Sequence, residues 1–209
     1  MTIETLSGDE LPDLPEFDDP PEDPVGLVRS WLDAAVRRGV REPHAAALAT
    51  ADAAGRPSNR TLLVKEVTDR GLTFTTDSGS GKGADLAVRP YAATVFYWRE
   101  TLQQIRVSGV VTQLSDEVSD TLFAERPVEA QATTAASAQS RPLDSDAELR
   151  DRAEKLAAAG DSVPRPETWR GYLLTADMVE FWQGRASRLH RRLRYERGDE
   201  SWSARRLQP

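Results

Sequence analysis

The chain has 209 residues and a formal net charge of −7, with no cysteine and only two histidines, His44 and His190. That length suits one domain with a substantial core. The composition excludes a disulfide framework, a thiolate metal site, a cysteine nucleophile and a three-histidine zinc site within one chain, so no metal is expected. No eighteen-residue apolar window points to a membrane span, and the acidic N-terminus lacks the basic start of a signal peptide, so the expectation is a cytoplasmic protein.

Residues 1–24 carry nine acidic side chains, no basic one and five of the thirteen prolines. Such a segment buries too little apolar surface to offset its ordering entropy, so it reads as a disordered arm, with docking in an oligomer as the alternative. The rest of the chain balances to +2 and reads as one domain, 25–209. Pro24 to Val40 predicts a helix, with Val25, Val28, Leu32 and Val36 at helical spacing. Short strands follow: Ala45–Thr50, Arg60–Lys65, Leu72–Thr76, Tyr91–Trp98 and Gln104–Gln113. Ser78-Gly79-Ser80-Gly81-Lys82-Gly83 leads into a short helix that Arg89-Pro90 ends. Ser115 caps a helix through Phe123, and Ser145 with Glu148 forms a capping-box pattern opening a helix toward Ala159. Gly171–Leu174, Val179–Trp182, Arg192–Glu196 and Ser201–Arg206 read as late strands. Many short strands with few crossover helices favour an antiparallel barrel.

Arginine dominates the bases, with 24 Arg against Lys65, Lys82 and Lys155. Eight arginines in the last 25 residues raise nucleic-acid binding. The alternation in Arg192-Leu193-Arg194-Tyr195 favours a strand with one wet face instead, so neither nucleic acid nor membrane is an expected partner. Backbone N–H groups of the glycine–serine loop suit a phosphate, with Lys82 adding charge; a plain turn is the alternative. Arg60 to Lys65 is a strand with a cation at each end, and half-buried cations need anionic partners. Arg188 and His190 fall on one face of an extended segment and suit an anionic or carbonyl-bearing ligand, a structural histidine being the alternative.

Several stretches together carry a resemblance. They are Glu42-Pro43-His44-Ala45, Leu48-Ala49-Thr50, Arg60-Thr61-Leu62-Leu63-Val64-Lys65, Phe96-Tyr97-Trp98 and Gln103-Gln104-Ile105-Arg106-Val107. Further on come Arg126-Pro127, Gln139-Ser140, Glu180-Phe181-Trp182-Gln183-Gly184, Arg188-Leu189-His190 and the closing Arg206-Leu207-Gln208-Pro209. Over residues 25–209 the chain resembles the pyridoxamine 5′-phosphate oxidase family. The resemblance implies a mainly β fold with flanking helices, a six-stranded antiparallel FMN-binding split barrel, and a homodimer with FMN at its interface. It implies FMN contacts from Arg60, Thr61, Leu62, Leu63, Val64, Lys65, Thr75, Thr76, Ser80, Lys82, Gln104, Gln139, Ser140, Trp182 and Arg192. The family usually has Arg where this chain has Gly81, which implies weaker FMN binding.

The implied substrate site comprises Lys65, Leu122, Arg126, Ala130, Arg188 and His190. The family's vitamin enzymes have Tyr and Ser where Leu122 and Ala130 stand, and commonly Asp where Arg191 stands, adding positive charge. With Trp98-Arg99-Glu100-Thr101-Leu102-Gln103-Gln104 and Arg188-Leu189-His190-Arg191-Arg192, the pattern is similar to the family's phenazine-biosynthesis branch. That implies an FMN-dependent oxidase of reduced (hexahydro, tetrahydro or dihydro) phenazine carboxylates with O2 as final acceptor. Arg188 and His190 would be the catalytic pair, His190 taking a proton. A pyridoxamine/pyridoxine 5′-phosphate oxidase and a non-catalytic flavin-binding barrel are the alternatives.

Overall fold

Six strands close into a ring in the computed structural model, which describes residues 7–12, 14–159 and 162–209. They are β1 (Ala45–Ala51), β2 (Pro57–Thr68), β3 (Gly71–Asp77), β4 (Tyr91–Trp98), β5 (Gln103–Gln113) and β6 (Trp169–Gln183), all paired antiparallel. The order is β3-β2-β1-β4-β5-β6, and pairing of β3 with β6, Leu72 opposite Leu174, closes the barrel. β7 (Arg191–Arg197) and β8 (Trp202–Leu207) extend the sheet beyond β6. The ring follows from period-2 alternation. Ala46, Leu48, Phe96, Trp98, Ile105 and Val107 point inward, while Ala45, Ala47, Tyr97 and Arg106 point out.

β6 is one strand of 15 residues where the sequence reads as two. The polar Ala176-Asp177-Met178 interruption is a bulge opposite Ser108 and Gly109, not a break. Asp177 turns outward and accepts from the Tyr91 hydroxyl at 2.8 Å. A side chain at Gly109 would collide with the Thr175 carbonyl oxygen, so the close strand approach here requires glycine.

α1 (Pro24–Arg37) starts at Asp23, whose carboxylate accepts from the Val25 N–H at 2.9 Å, with Pro24 in the first turn. It buries Val25, Val28, Trp31, Leu32 and Ala35. Val36, expected on that face, is 51% exposed, and the helix stops before Val40 because Gly39 takes φ +71°. Between β5 and β6 lie α3 (Asp116–Ala124), α4 (Val128–Ala136) and α5 (Asp146–Ala158). Ser115 and Ser145 cap α3 and α5 as expected. α4 has no sequence forecast, because its Ala/Thr-rich run lacks apolar periodicity. Phe123, Ala132, Val163 and Trp169 form a second, smaller apolar cluster there.

The expected disordered arm needs correction over its described part; residues 1–6 and 13 lie outside the described residues. Phe17 is 1% exposed, packs 6.1 Å from Trp31, and lies under the guanidinium groups of Arg191 and Arg206. Burying a Phe side chain contributes about 1.5–3 kcal/mol, which a composition count of the segment does not register. Glu16 accepts from the Trp31 indole N–H at 2.5 Å, and Asp18 pairs with Arg191 at 2.6 Å and Arg206 at 3.2 Å. Residues 14–23 are part of the domain.

Candidate functional site

β2, β3 and the start of α2 (Gly81–Val88) form one wall of a cavity of about 600 Å³, a volume that suits a cofactor with a small substrate. The segment around α3, α4 and the start of β6 forms the other. Arg60, Thr61, Leu62, Leu63, Lys65, Thr75, Thr76, Lys82, Arg126, Gln139 and Ser140 line it, so most of the residues expected at one site do meet.

Each cation is held in a different way. Arg60 donates to the Leu48 carbonyl at 3.1 Å and to the Thr50 and Ser58 hydroxyls at 2.8 and 2.5 Å. Both hydroxyls in turn donate to Asp85 of α2, at 2.6 and 2.9 Å, tying strand and helix together beneath the guanidinium. Lys82 donates to Ser80 at 3.1 Å and to Gln139 Oε1 at 3.0 Å, and Thr76 donates to that same oxygen at 3.3 Å. Arg126 donates to the Thr134 hydroxyl at 2.8 Å and lies over the Phe123 and Trp169 rings, 5.4 and 5.2 Å from their centroids. Lys65 is exposed at the rim, not half-buried, because a bulge between Val64 and Glu66 turns it outward. Among the described residues none of these four cations is in an ion pair. Burial pushes the Arg60 guanidinium down, against the pull of Asp85. Burial and then Arg60 push the Lys82 ammonium down, against the pull of Asp77, a carboxylate that also lines the cavity, and burial alone lowers Arg126. An anion entering the cavity relieves all three.

Ser80 stands behind the wall. It is fully buried and its hydroxyl donates to the Asp77 carbonyl at 2.6 Å while accepting from the Gly83 N–H at 3.3 Å, so it caps α2. Gly83 is required, since a Cβ would overlap the Ser78 backbone. Gly81 faces open space, so nothing steric excludes a longer side chain there. Val64 is core, with its N–H donating to the His44 carbonyl at 3.0 Å.

The remaining expected residues are elsewhere. Gln104, Trp182 and Arg192 stand side by side across β5, β6 and β7 on the outer face. They do not line the cavity, and neither do Arg188 and His190. The extended segment expected at Arg188–His190 is a turn in which Arg188 takes φ +67°. The His190 ring lies 4.9 Å from Trp182, and its Nδ1 accepts the Arg185 N–H at 3.1 Å. With Nδ1 accepting, the neutral tautomer of the ring has its proton on Nε2 and presents a donor there. Glu10 of the arm holds the same turn, accepting from Arg185 at 2.5 Å and from the Ala186 N–H at 3.0 Å. Hydrogen bonds from Ala186 and Arg185 hold its carboxyl below the usual range. Arg191, expected to add bare positive charge, is matched by Asp18. Leu122 and Ala130 are also outside the cavity lining, Leu122 packing against the second apolar cluster.

Comparison with known proteins matches the pyridoxamine 5′-phosphate oxidase family over residues 32–159 and the pyridoxine 5′-phosphate oxidase C-terminal dimerisation region over residues 169–209. The chain belongs to the pyridoxamine 5′-phosphate oxidase family. It is 41% identical over 206 residues to a dihydrophenazinedicarboxylate synthase of Pseudomonas chlororaphis, covering 99% of this chain and 93% of that protein. It is 48% identical over 191 residues to a pyridoxine/pyridoxamine 5′-phosphate oxidase of Deinococcus deserti, covering 90% of this chain and 89% of that protein. A crystal structure of PhzG from Burkholderia lata 383, in complex with tetrahydrophenazine-1-carboxylic acid, superposes with a TM-score of 0.93 at 44% identity. It covers 97% of this chain and 100% of that one.

This member of the family is an oxidoreductase of split-barrel fold, and no helix among its described residues is long and apolar enough to cross a membrane. Its cavity fits a phosphorylated flavin. Cations without ion-pair partners, threonine hydroxyls and the start of α2 offer donors to an anion, while Leu62, Leu63 and Trp169 offer apolar surface to rings. Sequence reasoning missed Asp77, Thr134, Ser137 and Trp169 of the lining. Thr134 and Ser137 lie in and just after the unforecast α4, and Trp169 follows a proline-rich break, so no local signal ties them to Arg126.

Proposed function

We propose that the protein is an FMN-dependent oxidase of reduced phenazine carboxylates, acting as a cytoplasmic homodimer with FMN at the interface. The observation that carries this reading is the composition of the anion-binding end. Lys65 and Arg126 line the cavity, but the two positions that carry hydroxyls in the vitamin enzymes are Leu122 and Ala130, which offer a substrate no side-chain donor. Each lost hydrogen bond to a charged group costs about 1.5–3 kcal/mol, so a substrate phosphate is poorly served. A carboxylate, with two oxygens and a single charge, is satisfied by fewer donors than a phosphate. The 99% coverage by the phenazine relative, against 90% by the vitamin relative, also supports it, since that span takes in the acidic segment that holds the Arg185–His190 turn.

In this reading Arg60, Lys82, Thr75, Thr76 and Ser140 bind the flavin phosphate and its chain, with Gln139 steadying Lys82. Ser80 acts through the cap of α2. Thr61, Leu62, Leu63 and the Val64 backbone border the ring system. A second copy supplies Gln104, Trp182 and Arg192 to the ring edge, and Arg188 and His190 to the substrate. This accounts for the absence of those five residues from the cavity of one chain. FMN held there would supply a two-electron acceptor for the reduced substrate ring, with O2 as the final acceptor and hydrogen peroxide as its product. The protein orients the donor carbon, and His190 offers Nε2–H to a substrate carboxylate or ring nitrogen.

The test is anaerobic mixing of FMN-loaded protein with a chemically reduced phenazine carboxylate or with pyridoxine 5′-phosphate, followed by flavin absorbance. Bleaching by the phenazine alone is the expected result. Rapid bleaching by pyridoxine 5′-phosphate alone establishes the vitamin enzyme instead, and retained flavin that neither donor reduces leaves the non-catalytic barrel.

A further inference from the structure

Arg60 is anchored by three acceptors, and two of these are themselves held by Asp85 of α2. Its Nη1 donates to the Leu48 carbonyl at 3.1 Å and to Thr50 Oγ1 at 2.8 Å, and its Nη2 donates to Ser58 Oγ at 2.5 Å. A guanidinium has five N–H groups, so Nε–H and one hydrogen of Nη2 stay uncommitted among the described residues, on a side chain that lines the cavity. A hydroxyl donates as well as accepts, and one turned the wrong way points its proton at the guanidinium. Asp85 Oδ2 prevents this, accepting from Thr50 at 2.6 Å and from Ser58 at 2.9 Å. An ionised carboxylate only accepts, so it draws both protons and leaves both hydroxyl oxygens with lone pairs for Arg60. The two hydroxyls lie 3.3 Å from each other, a weaker alternative than either bond to the carboxylate. Asp85 is in no ion pair among the described residues, so its contact with Arg60 runs through these hydroxyls.

We infer that Asp85 is a positioning residue for the cofactor phosphate: through Thr50 and Ser58 it fixes which N–H groups of Arg60 are spent on the fold and which are left for the phosphate. The two ways in which a carboxylate could act here differ in sign. Acting by charge alone, Asp85 repels a phosphate near Arg60, and its removal tightens binding. Acting by orientation, it does the opposite. Without it the hydroxyl protons turn freely, the guanidinium loses its anchors, and phosphate binding must then order a side chain that the fold no longer holds. Thr50 is buried and Ser58 is exposed, so the Thr50 branch is the better shielded from competing water. The inference rests on the proposed contact between Arg60 and the flavin phosphate, and the experiment separates the two.

The experiment measures flavin binding without turnover. The full-length chain, freed of flavin, is titrated with FMN and with riboflavin, which lacks the phosphate, and flavin fluorescence is read. Wild type, Asp85→Ala, Arg60→Met and the double variant are compared. Asp85→Ala should weaken FMN about 10-fold, the scale of one hydrogen bond to a charged group. Riboflavin should bind within about twofold of wild type, the ordinary scatter of an uncoupled site. In the Arg60→Met background the Asp85→Ala change should have no further effect on FMN, because the group it positions is gone. Tighter or unchanged FMN binding by Asp85→Ala overturns the inference and leaves the functional reading intact. An equal loss of FMN and riboflavin also overturns it, as does a loss that persists in full after Arg60→Met; either marks a displacement of α2 and Lys82 instead. Arg60→Met that binds FMN as wild type does overturns the assignment of Arg60 to the phosphate, and the inference with it. If Asp85→Ala does not fold, Ser58→Ala removes one branch at an exposed position. It should then weaken FMN about threefold with riboflavin unchanged, and unchanged FMN overturns the inference.

Discussion

Around the cavity Arg60, Lys65, Lys82 and Arg126 take part in no ion pair among the described residues, whereas within strands β6, β7 and β8 every arginine except Arg197, which lies over the Trp202 ring, pairs with a carboxylate. Glu180, 2% exposed, accepts from Arg192 at 2.8 and 3.0 Å and from Arg194 at 2.7 and 2.8 Å, with Arg106 at 3.6 Å. Asp18 serves Arg191 and Arg206. The two regions have similar residue content and opposite purposes. A half-buried cation without a carboxylate is costly and marks a place where an anion binds, while a matched one marks scaffold. Arg192 shows the boundary: Glu180 fixes its Nε and Nη2 and the Gln208 carbonyl takes Nη1 at 3.1 Å, so its plane is set before any ligand arrives.

The largest effect that sharpens this contrast is in the matched region. Glu180→Ala removes the buried carboxylate shared by Arg192, Arg194 and Arg106 and should destabilise the protein by about 2–3 kcal/mol in urea unfolding, below the full cost of breaking a buried pair because the arginines are partly exposed and Arg194 keeps Glu196. Burial pushes the Glu180 carboxyl up, but hydrogen bonds from Arg194 and Arg192 outweigh it and hold the group below its ordinary 4.5. Its contribution is therefore complete above pH 4.5 and is lost as pH falls through the lower folded value. Wild type should lose stability relative to Glu180→Gln over that acid range, and parallel acid limbs would contradict the assignment.

The cavity should respond in the opposite sense. Lys82→Met should weaken FMN about 10- to 100-fold by fluorescence titration, while the flavin-free protein unfolds at the same or higher denaturant concentration. A variant that bound FMN normally but lost stability would move Lys82 to the scaffold side.

The smallest effect lies beneath the arm. The Tyr195 hydroxyl is buried without a hydrogen-bond partner among the described residues, and burial, with Glu16 and Asp23 nearby, pushes it up to about 12. Tyr195→Phe should change stability by no more than about 1 kcal/mol, toward greater stability. In wild type alone, stability should fall further as pH rises from 10 toward 12, because unfolding then releases the proton that the fold retains. Equal alkaline limbs for the two proteins would assign that titration elsewhere.

Much of this was legible along the chain. Ser80, Ser115 and Ser145 cap their helices through bonds to residues three positions on, and β1, β4 and β5 alternate as their sequences require. The motif residues from Arg60 to Lys65 also reach the cavity wall, apart from core Val64. The arm was misread because its acids were counted as solvated while their partners, Arg185, Arg191 and Arg206, lie at the other end of the chain. Asp177 was misread as a strand break because a bulge and a gap look alike in polarity.

What the sequence determined by itself is what short range enforces: the strand period, the caps, the glycine demands at tight approaches and the family signature. The tertiary structure decided the closure of β3 on β6, which arginines are neutralised, the contact of His190 Nδ1 with the Arg185 N–H and the meeting of Arg126 with Thr134, Phe123 and Trp169. The physical reason is separation. A capping bond is chosen among neighbours a few residues apart, whereas Arg206 meets Asp18 across 188 positions, and only the closed barrel brings such partners within reach.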